Sequence, residues 1–187
     1  MSDLGRTLET AHHIGLEATP ETRLRDRDFA MFNGVPYVNY TKAKEAYKAE
    51  LDEMGVAWKY ECAQDYGCGA DANYQKLLED VELPGVERYA CLFHRVRDLI
   101  HDIAERCSKS GKDSVNVLFV THCSPTRMCA MVLAQFSDAS FPPNLKKCDI
   151  PNNSISEFQI TVNDKTHTIA NVDLIKFAST KHLHAAM

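Results

Sequence analysis

The clearest chemistry in this sequence stands where an apolar run ends. Val115-Asn-Val-Leu-Phe-Val120 is followed by Thr121, then His122-Cys123-Ser124-Pro125. Imidazole changes charge near neutral pH and serves as nucleophile, proton carrier or hydrogen-bond donor. The run itself, β-branched and nearly all apolar, predicts a strand buried on both faces. Ser124 then Pro125 predicts a helix start, with a hydroxyl N-cap followed by proline at the first helical position. Met128, Met131 and Val132 follow at helical spacing. A strand–turn–helix unit would hold His122 and Cys123 against a helix N-terminus, where an open α/β sheet binds ligands and where anions such as phosphate are favoured.

Two further groups could join that chemistry. Arg6 lies on the first turn of an expected helix. Arg23-Leu24-Arg25-Asp26-Arg27-Asp28 puts three arginines and two aspartates in six positions. Such a stretch is either a solvated loop or an anion pocket with a carboxyl acid, for which Asp26 and Asp28 are both candidates. His122-Cys123 also invites comparison with cysteine-dependent phosphatases, whose loop needs an arginine six positions after the cysteine. Cys129 occupies that position and Arg127 falls two short, so that class does not fit. Cys62 and Cys68 have five intervening residues and no second cysteine pair or paired histidine, which argues against zinc. His12 and His13 face different sides of a helix, and neither reads as a nucleophile.

The elements that must position these residues can be read from periodicity. Leu4, Leu8, Ala11 and Ile14 share a helical face, with Ser2 or Asp3 as cap and Gly15 as terminator. Asn33-Gly34 and Pro36 mark a loop, and Thr41 can cap a charged helix ending near Met54. Pro84-Gly85 opens a helix from about Glu87 to Cys107, striped with Leu92, Val96, Leu99, Ile100 and Ile103. Ser154–Val162 and His167–Val172 alternate across Asn163-Asp164-Lys165, which predicts a β-hairpin. The segment Trp58–Leu83 is the least legible. At 187 residues, 44% hydrophobic and 25% charged, the chain suits one domain with a sizeable core. A net charge of −5 and no Lys/Arg run exclude a nucleic-acid footprint. No apolar stretch reaches a membrane span, no signal-peptide core opens the chain, and the seven cysteines read as reduced thiols. A cytoplasmic protein is expected.

Taken in order, these pieces resemble the histidine phosphatase (phosphoglycerate mutase-like) superfamily. Ser2-Asp3-Leu4-Gly5-Arg6-Thr7-Leu8-Glu9-Thr10-Ala11 is similar to that family's Ser-x-Leu-x-Arg-x-x-x-Thr-Ala helix. Arg23–Phe29 resembles its Arg-Leu-x-Glu segment, and Pro84-Gly85-Val86-Glu87 with Arg95-Val96 its Pro-Gly-x-Glu helix. Val117–His122 resembles the strand bearing its second active-site histidine. Asn153-Ser154-Ile155-Ser156 and the hairpin resemble its C-terminal end. Each motif is short; five in the same order make the signal.

The resemblance implies an α/β three-layer phosphoglycerate mutase-like fold, as a single domain over residues 1–187. It implies phosphate-monoester chemistry in which a first histidine attacks phosphorus, a second histidine and two arginines hold the phosphoryl oxygens, and a carboxylic acid protonates the leaving group. By position, Arg6 is the second phosphate arginine, His122 the second histidine, and Asp26 the acid. The resemblance implies no metal and no organic cofactor, since the family's reaction uses a phosphohistidine and arginines instead. Cys123 stands where a glycine is usual, at the phosphate-binding turn. No Arg-His-Gly occurs anywhere in the sequence, so the nucleophile is missing. The chain matches the family from its third segment onward, which implies an N-terminally truncated domain and an incomplete central sheet. Little or no turnover is then expected; the alternative is a non-catalytic pseudo-phosphatase holding a phosphorylated small molecule, a phosphoprotein or another protein partner. Missing central strands would expose apolar surface, to be covered by a homodimer or by a rearranged segment such as Tyr37–Tyr60 or the tail.

Overall fold

The computed structural model describes residues 1–55, 83, 85–137, 141–142, 145 and 148–184. Cys62, Cys68 and most of the Trp58–Leu83 stretch lie outside the described residues. The chain divides into two compact units, one formed by Met1–Asp26 with Leu92–Met187 and the other by Arg27–Cys91.

In the first unit, α1 (Gly5–His13) turns Thr7 and Ala11 into the interior. Gly15 ends it as expected: its φ of +73° lets its N–H reach the His12 carbonyl while the Leu16 N–H reaches that of Ala11. The expected caps do not form. Leu4 is the N-cap and has no polar side chain to cap the helix; at this turn the Ser2 hydroxyl accepts only from the Leu4 N–H, at 3.4 Å, and it also meets His122, while Asp3 pairs with Arg25. The apolar face is also only partly covered, with Leu8 and Ile14 exposed.

Helix α3 (Tyr89–Lys109) is the long helix that the Leu92, Val96, Leu99 and Ile100 stripe predicts, and all four are buried from Leu92 onward in the first unit. Helix α4 (Cys123–Leu133) buries every residue from Met128 to Leu133. Burying side chains of this size contributes roughly 1.5–3 kcal/mol each, so the two helices supply most of this unit's core. The N-cap of α4 is His122, not Ser124, and Pro125 falls within the first turn, where a missing N–H costs nothing.

The hairpin forms as expected. Strands β1 (Ile155–Asn163) and β2 (Thr168–Ser179) pair antiparallel, with Ile160 opposite Val172. Asn163 sets the turn, its Oδ1 accepting from the Lys165 and Thr166 N–H groups at 2.9 and 3.2 Å. Ile169 and Val172 face the core, and Phe141 stacks on Phe158 at 6.2 Å. This is the one sheet among the described residues, and with the helices it makes a mixed α/β structure.

The expected strand Val115–Val120 is overturned. The segment is irregular, belongs to no sheet among the described residues, and leaves Val115, Val117 and Leu118 exposed at 43%, 49% and 62%. A strand exists only where a neighbour takes its N–H and C=O groups. Here the Val120 carbonyl finds one such partner, the Ser2 N–H at 2.9 Å.

The second unit is built on α2 (Tyr37–Glu53), which starts earlier than Thr41, directly after Pro36. Phe32, Leu51, Leu83 and Val86 form its core, with Tyr40 and Tyr47 packed edge-on against Phe32. The Arg27 guanidinium lies 4.0 Å from the Tyr89 ring centroid, and its Nε donates to the Glu87 carbonyl. Short α5 (Lys181–His184) closes the described chain in the first unit. No helix among the described residues is long and apolar enough to cross a membrane.

Candidate functional site

Three segments far apart in sequence converge within the first unit. His122 comes from the residue preceding α4, Arg6 from the first turn of α1, and Asp26 from the loop after the 3-10 turn Thr22–Leu24. The Arg6 Nε donates to His122 Nδ1 at 3.0 Å, and its Nη2 donates to Asp26 Oδ2 at 2.9 Å. Asp26 Oδ2 stands 3.9 Å from His122 Nδ1, too far for a direct hydrogen bond. Arg6 is thus interposed between acid and imidazole.

On the other side of the ring, His122 Nε2 lies 2.9 Å from the Ser2 hydroxyl. Ser2 is fully buried, held by its own N–H on Val120 and by the Thr7 hydroxyl on its carbonyl. Because Nδ1 accepts from Arg6, the neutral ring carries its proton on Nε2 and donates it to Ser2. Burial pushes the His122 pKa below the ordinary histidine value; Asp26 and Asp3 pull it up, Arg6 and Arg95 press it down. The imidazole is therefore neutral at pH 7, with a fixed donor on Nε2.

The loop bearing Asp26 is pinned by charge. Arg25 makes a two-pronged pair with Asp3, at 2.7 and 2.6 Å, and Arg23 pairs with Glu21 and Asp102. These contacts hold the Asp3 and Glu21 carboxyls below the usual carboxylate range, chiefly through the arginine hydrogen bonds. The alternative acid, Asp28, is bound into its own turn, accepting from the Ala30 N–H and the Asn33 amide. That use accounts for the positive φ of +49° at Ala30.

Cys123 is exposed at the first residue of α4, and its Sγ accepts from Arg127 Nη2 at 3.4 Å. Desolvation of the sulfur pushes its thiol pKa up; Arg127 opposes this and Asp26 and Asp149 add to it. At neutral pH it is a thiol, able to donate weakly but not to attack. Arg127 Nη2 also donates to the Cys148 carbonyl at 2.7 Å. His12 and His13 are both exposed on α1.

Arg6, His122 and Asp26 are the residues the sequence singles out. Ser2 is not foreseen in this place, since its type and position suit a helix cap equally well. Among the described residues no cluster of His, Cys, Asp and Glu could hold a metal ion. No family model, curated protein or solved structure matches this chain.

Proposed function

We propose that the Arg6–His122–Asp26 cluster is a phosphate-monoester site of the histidine phosphatase type, and that this chain binds such esters with little or no turnover. The observation that carries the reading is the convergence itself: a cation, a neutral imidazole donor and a carboxyl group joined by hydrogen bonds across 116 and 20 residues of sequence. The exposed apolar run Val115–Val120 supports the companion proposal of a three-layer phosphoglycerate mutase-like domain with an incomplete central sheet.

An incoming phosphoryl group would take Arg6 from Asp26. Arg6 is reachable for this, its side chain being 61% exposed. The His122 Nε2–H points away from Arg6 to the buried Ser2 hydroxyl, so His122 serves the site by holding Arg6 through Nδ1. The opening turn of the 11-residue α4 adds N–H groups without intrahelical acceptors beside it. Turnover lacks an attacking atom. His122 Nε2 holds a proton, Nδ1 is covered by Arg6, and the Cys123 thiol is protonated.

Titration with inorganic phosphate and para-nitrophenyl phosphate tests the reading. The expected result is saturable binding that Arg6→Ala weakens about 10- to 100-fold, the worth of a charge-assisted hydrogen bond, with no nitrophenol released above the blank. Equal binding by wild type and Arg6→Ala would refute it.

A further inference from the structure

The segment Arg23–Asp26 has four successive carbonyls, and each accepts a hydrogen bond from a distant side chain. Arg95, on the second turn of α3, donates from Nη1 to the Arg23 carbonyl at 2.5 Å and from Nη2 to those of Arg25 and Asp26 at 2.8 and 3.1 Å. Thr121, adjacent to His122, donates its hydroxyl to the Leu24 carbonyl at 2.7 Å. After the three-residue 3-10 turn this stretch has no ladder or helix of its own to satisfy these groups. A fixed, planar guanidinium does what regular secondary structure does elsewhere.

We infer that Arg95 is a positioning residue, holding Asp26 where its carboxylate meets Arg6 and acts on His122. Three features carry this. Three Arg95 bonds go to main-chain carbonyls, so they set where the backbone at Asp26 stands. They include the carbonyl of Asp26 itself. Thr121 ties the same loop to the residue before His122, so displacement of the loop changes the distance from Asp26 to the imidazole, now 3.9 Å. Lysine cannot substitute: its compact ammonium lacks the planar fork that spans carbonyls of residues 23, 25 and 26 together. The charged groups facing His122 are Asp26, Arg6, Arg95 and Asp3. Arg95→Lys preserves that charge balance and removes the geometry.

This inference rests on Asp26 belonging to the site proposed above, and its test separates the two. The His122 ring is titrated by ¹⁵N-edited NMR in the full-length wild type, Arg95→Lys, Asp26→Asn and the double variant, with thermal melts as a folding control. Asp26→Asn removes an anion that favours the imidazolium, so the His122 midpoint falls. Arg95→Lys is expected to lower it in the same direction, because the carboxylate is no longer held in place. In the Asp26→Asn background Arg95→Lys should have no further effect. A wild-type midpoint in Arg95→Lys, or an equal drop in both backgrounds, would overturn the inference. Arg95→Gln is a second probe; should it fail to fold, the lysine variant decides. Inorganic phosphate is then added to wild type. If it leaves the His122 resonances unmoved, the phosphate reading fails while the Arg95–Asp26 coupling stands on its own titration.

Discussion

Replacing Arg6 with alanine is the sharpest perturbation of the site, because one guanidinium serves both His122 and Asp26. Its ion pair with Asp26 is substantially solvated, with side chains 61% and 30% exposed. Such pairs are worth about 0–1 kcal/mol, so global stability should change by no more than about 1 kcal/mol. The effect on His122 is larger. Arg6 presses the imidazole toward its neutral form in two ways, by its charge and by covering the Nδ1 lone pair. Once it is gone, Nδ1 is uncovered and Asp26 Oδ2, already 3.9 Å away, is no longer neutralised by the guanidinium, so its pull on the imidazole strengthens. At that distance a charge pair is worth about 4 kcal/mol with an effective dielectric constant near 20 and about 1 kcal/mol in water. Asp26 is partly exposed, which places the gain toward the lower figure, about 1–2 kcal/mol. That is roughly a tenfold rise in the equilibrium constant for protonating His122. Long-range ¹H–¹⁵N correlation reports both tautomer and midpoint. Wild type should show the Nε2–H tautomer and a midpoint below the ordinary histidine value. Arg6→Ala should titrate at higher pH and gain Nδ1–H. A wild-type ring protonated on Nδ1, or a midpoint that falls in the variant, would refute the hydrogen-bond assignment on which the site rests.

Other expectations concern stability and reactivity. Burial lowers the pKa of both His94 and His122, so the unfolded chain binds protons more readily than the folded one. The stability they contribute is complete above about pH 6.5, the unfolded value, and is lost as pH falls through the lower folded values; urea melts across this range should show it, and a flat profile would contradict it. Cys129 is buried with its thiol pushed up to about 12, whereas Cys91 and Cys123 are exposed. Iodoacetamide should therefore label Cys91 in the native protein, Cys123 more slowly because burial of its sulfur disfavours the thiolate, and Cys129 only after unfolding, read by peptide mass spectrometry. Met131→Ala opens a cavity at a 1% exposed position and should cost about 2–5 kcal/mol. Leu118→Ser, at 62% exposure, should change stability by less than about 0.5 kcal/mol. Comparable losses in the two variants would mean that Leu118 is covered in solution.

The legible parts of the fold are those whose signal is local. The 3.6-residue stripe from Leu92 to Ile100 needs no knowledge of its partner to be read as a buried helical face. Asn163 announces a turn through its own side chain. Val115–Val120 shows the limit. Valine, leucine and phenylalanine report a preference for a half-buried pleated surface, but pairing requires a neighbour, and composition carries no record of whether one is present. The start of α4 fails for a related reason. Ser124 is the better capping residue, yet the chain enters the helix two residues earlier because the His122 carbonyl accepts from both the N–H and the hydroxyl of Thr126. At the site, Arg6, His122 and Asp26 are findable from the order of their surroundings. Arg95 and Ser2 act through a carbonyl fork and a buried hydroxyl, roles that no residue pattern spells out.

The direction of the hydrogen bonds decides what chemistry this site can support. Serine, histidine and aspartate within one cluster suggest a relay in which the carboxylate accepts Nδ1–H, freeing Nε2 to take the serine proton. Here Arg6 stands between Asp26 and the ring and supplies a donor to Nδ1, so the sense of the chain is reversed. Nε2 gives a proton toward Ser2 instead of receiving one. A base at Nε2 would require Arg6 to leave and Asp26 to advance from 3.9 Å to hydrogen-bonding distance. Burial opposes the imidazolium that would result. With Arg6 in place the groups that can meet an anion are donors, the exposed guanidinium and the first turn of α4, while the imidazole N–H is directed at the buried Ser2. Among the described residues of this cluster, donors can meet an anion and no group is placed to attack it, which supports the proposed function of binding.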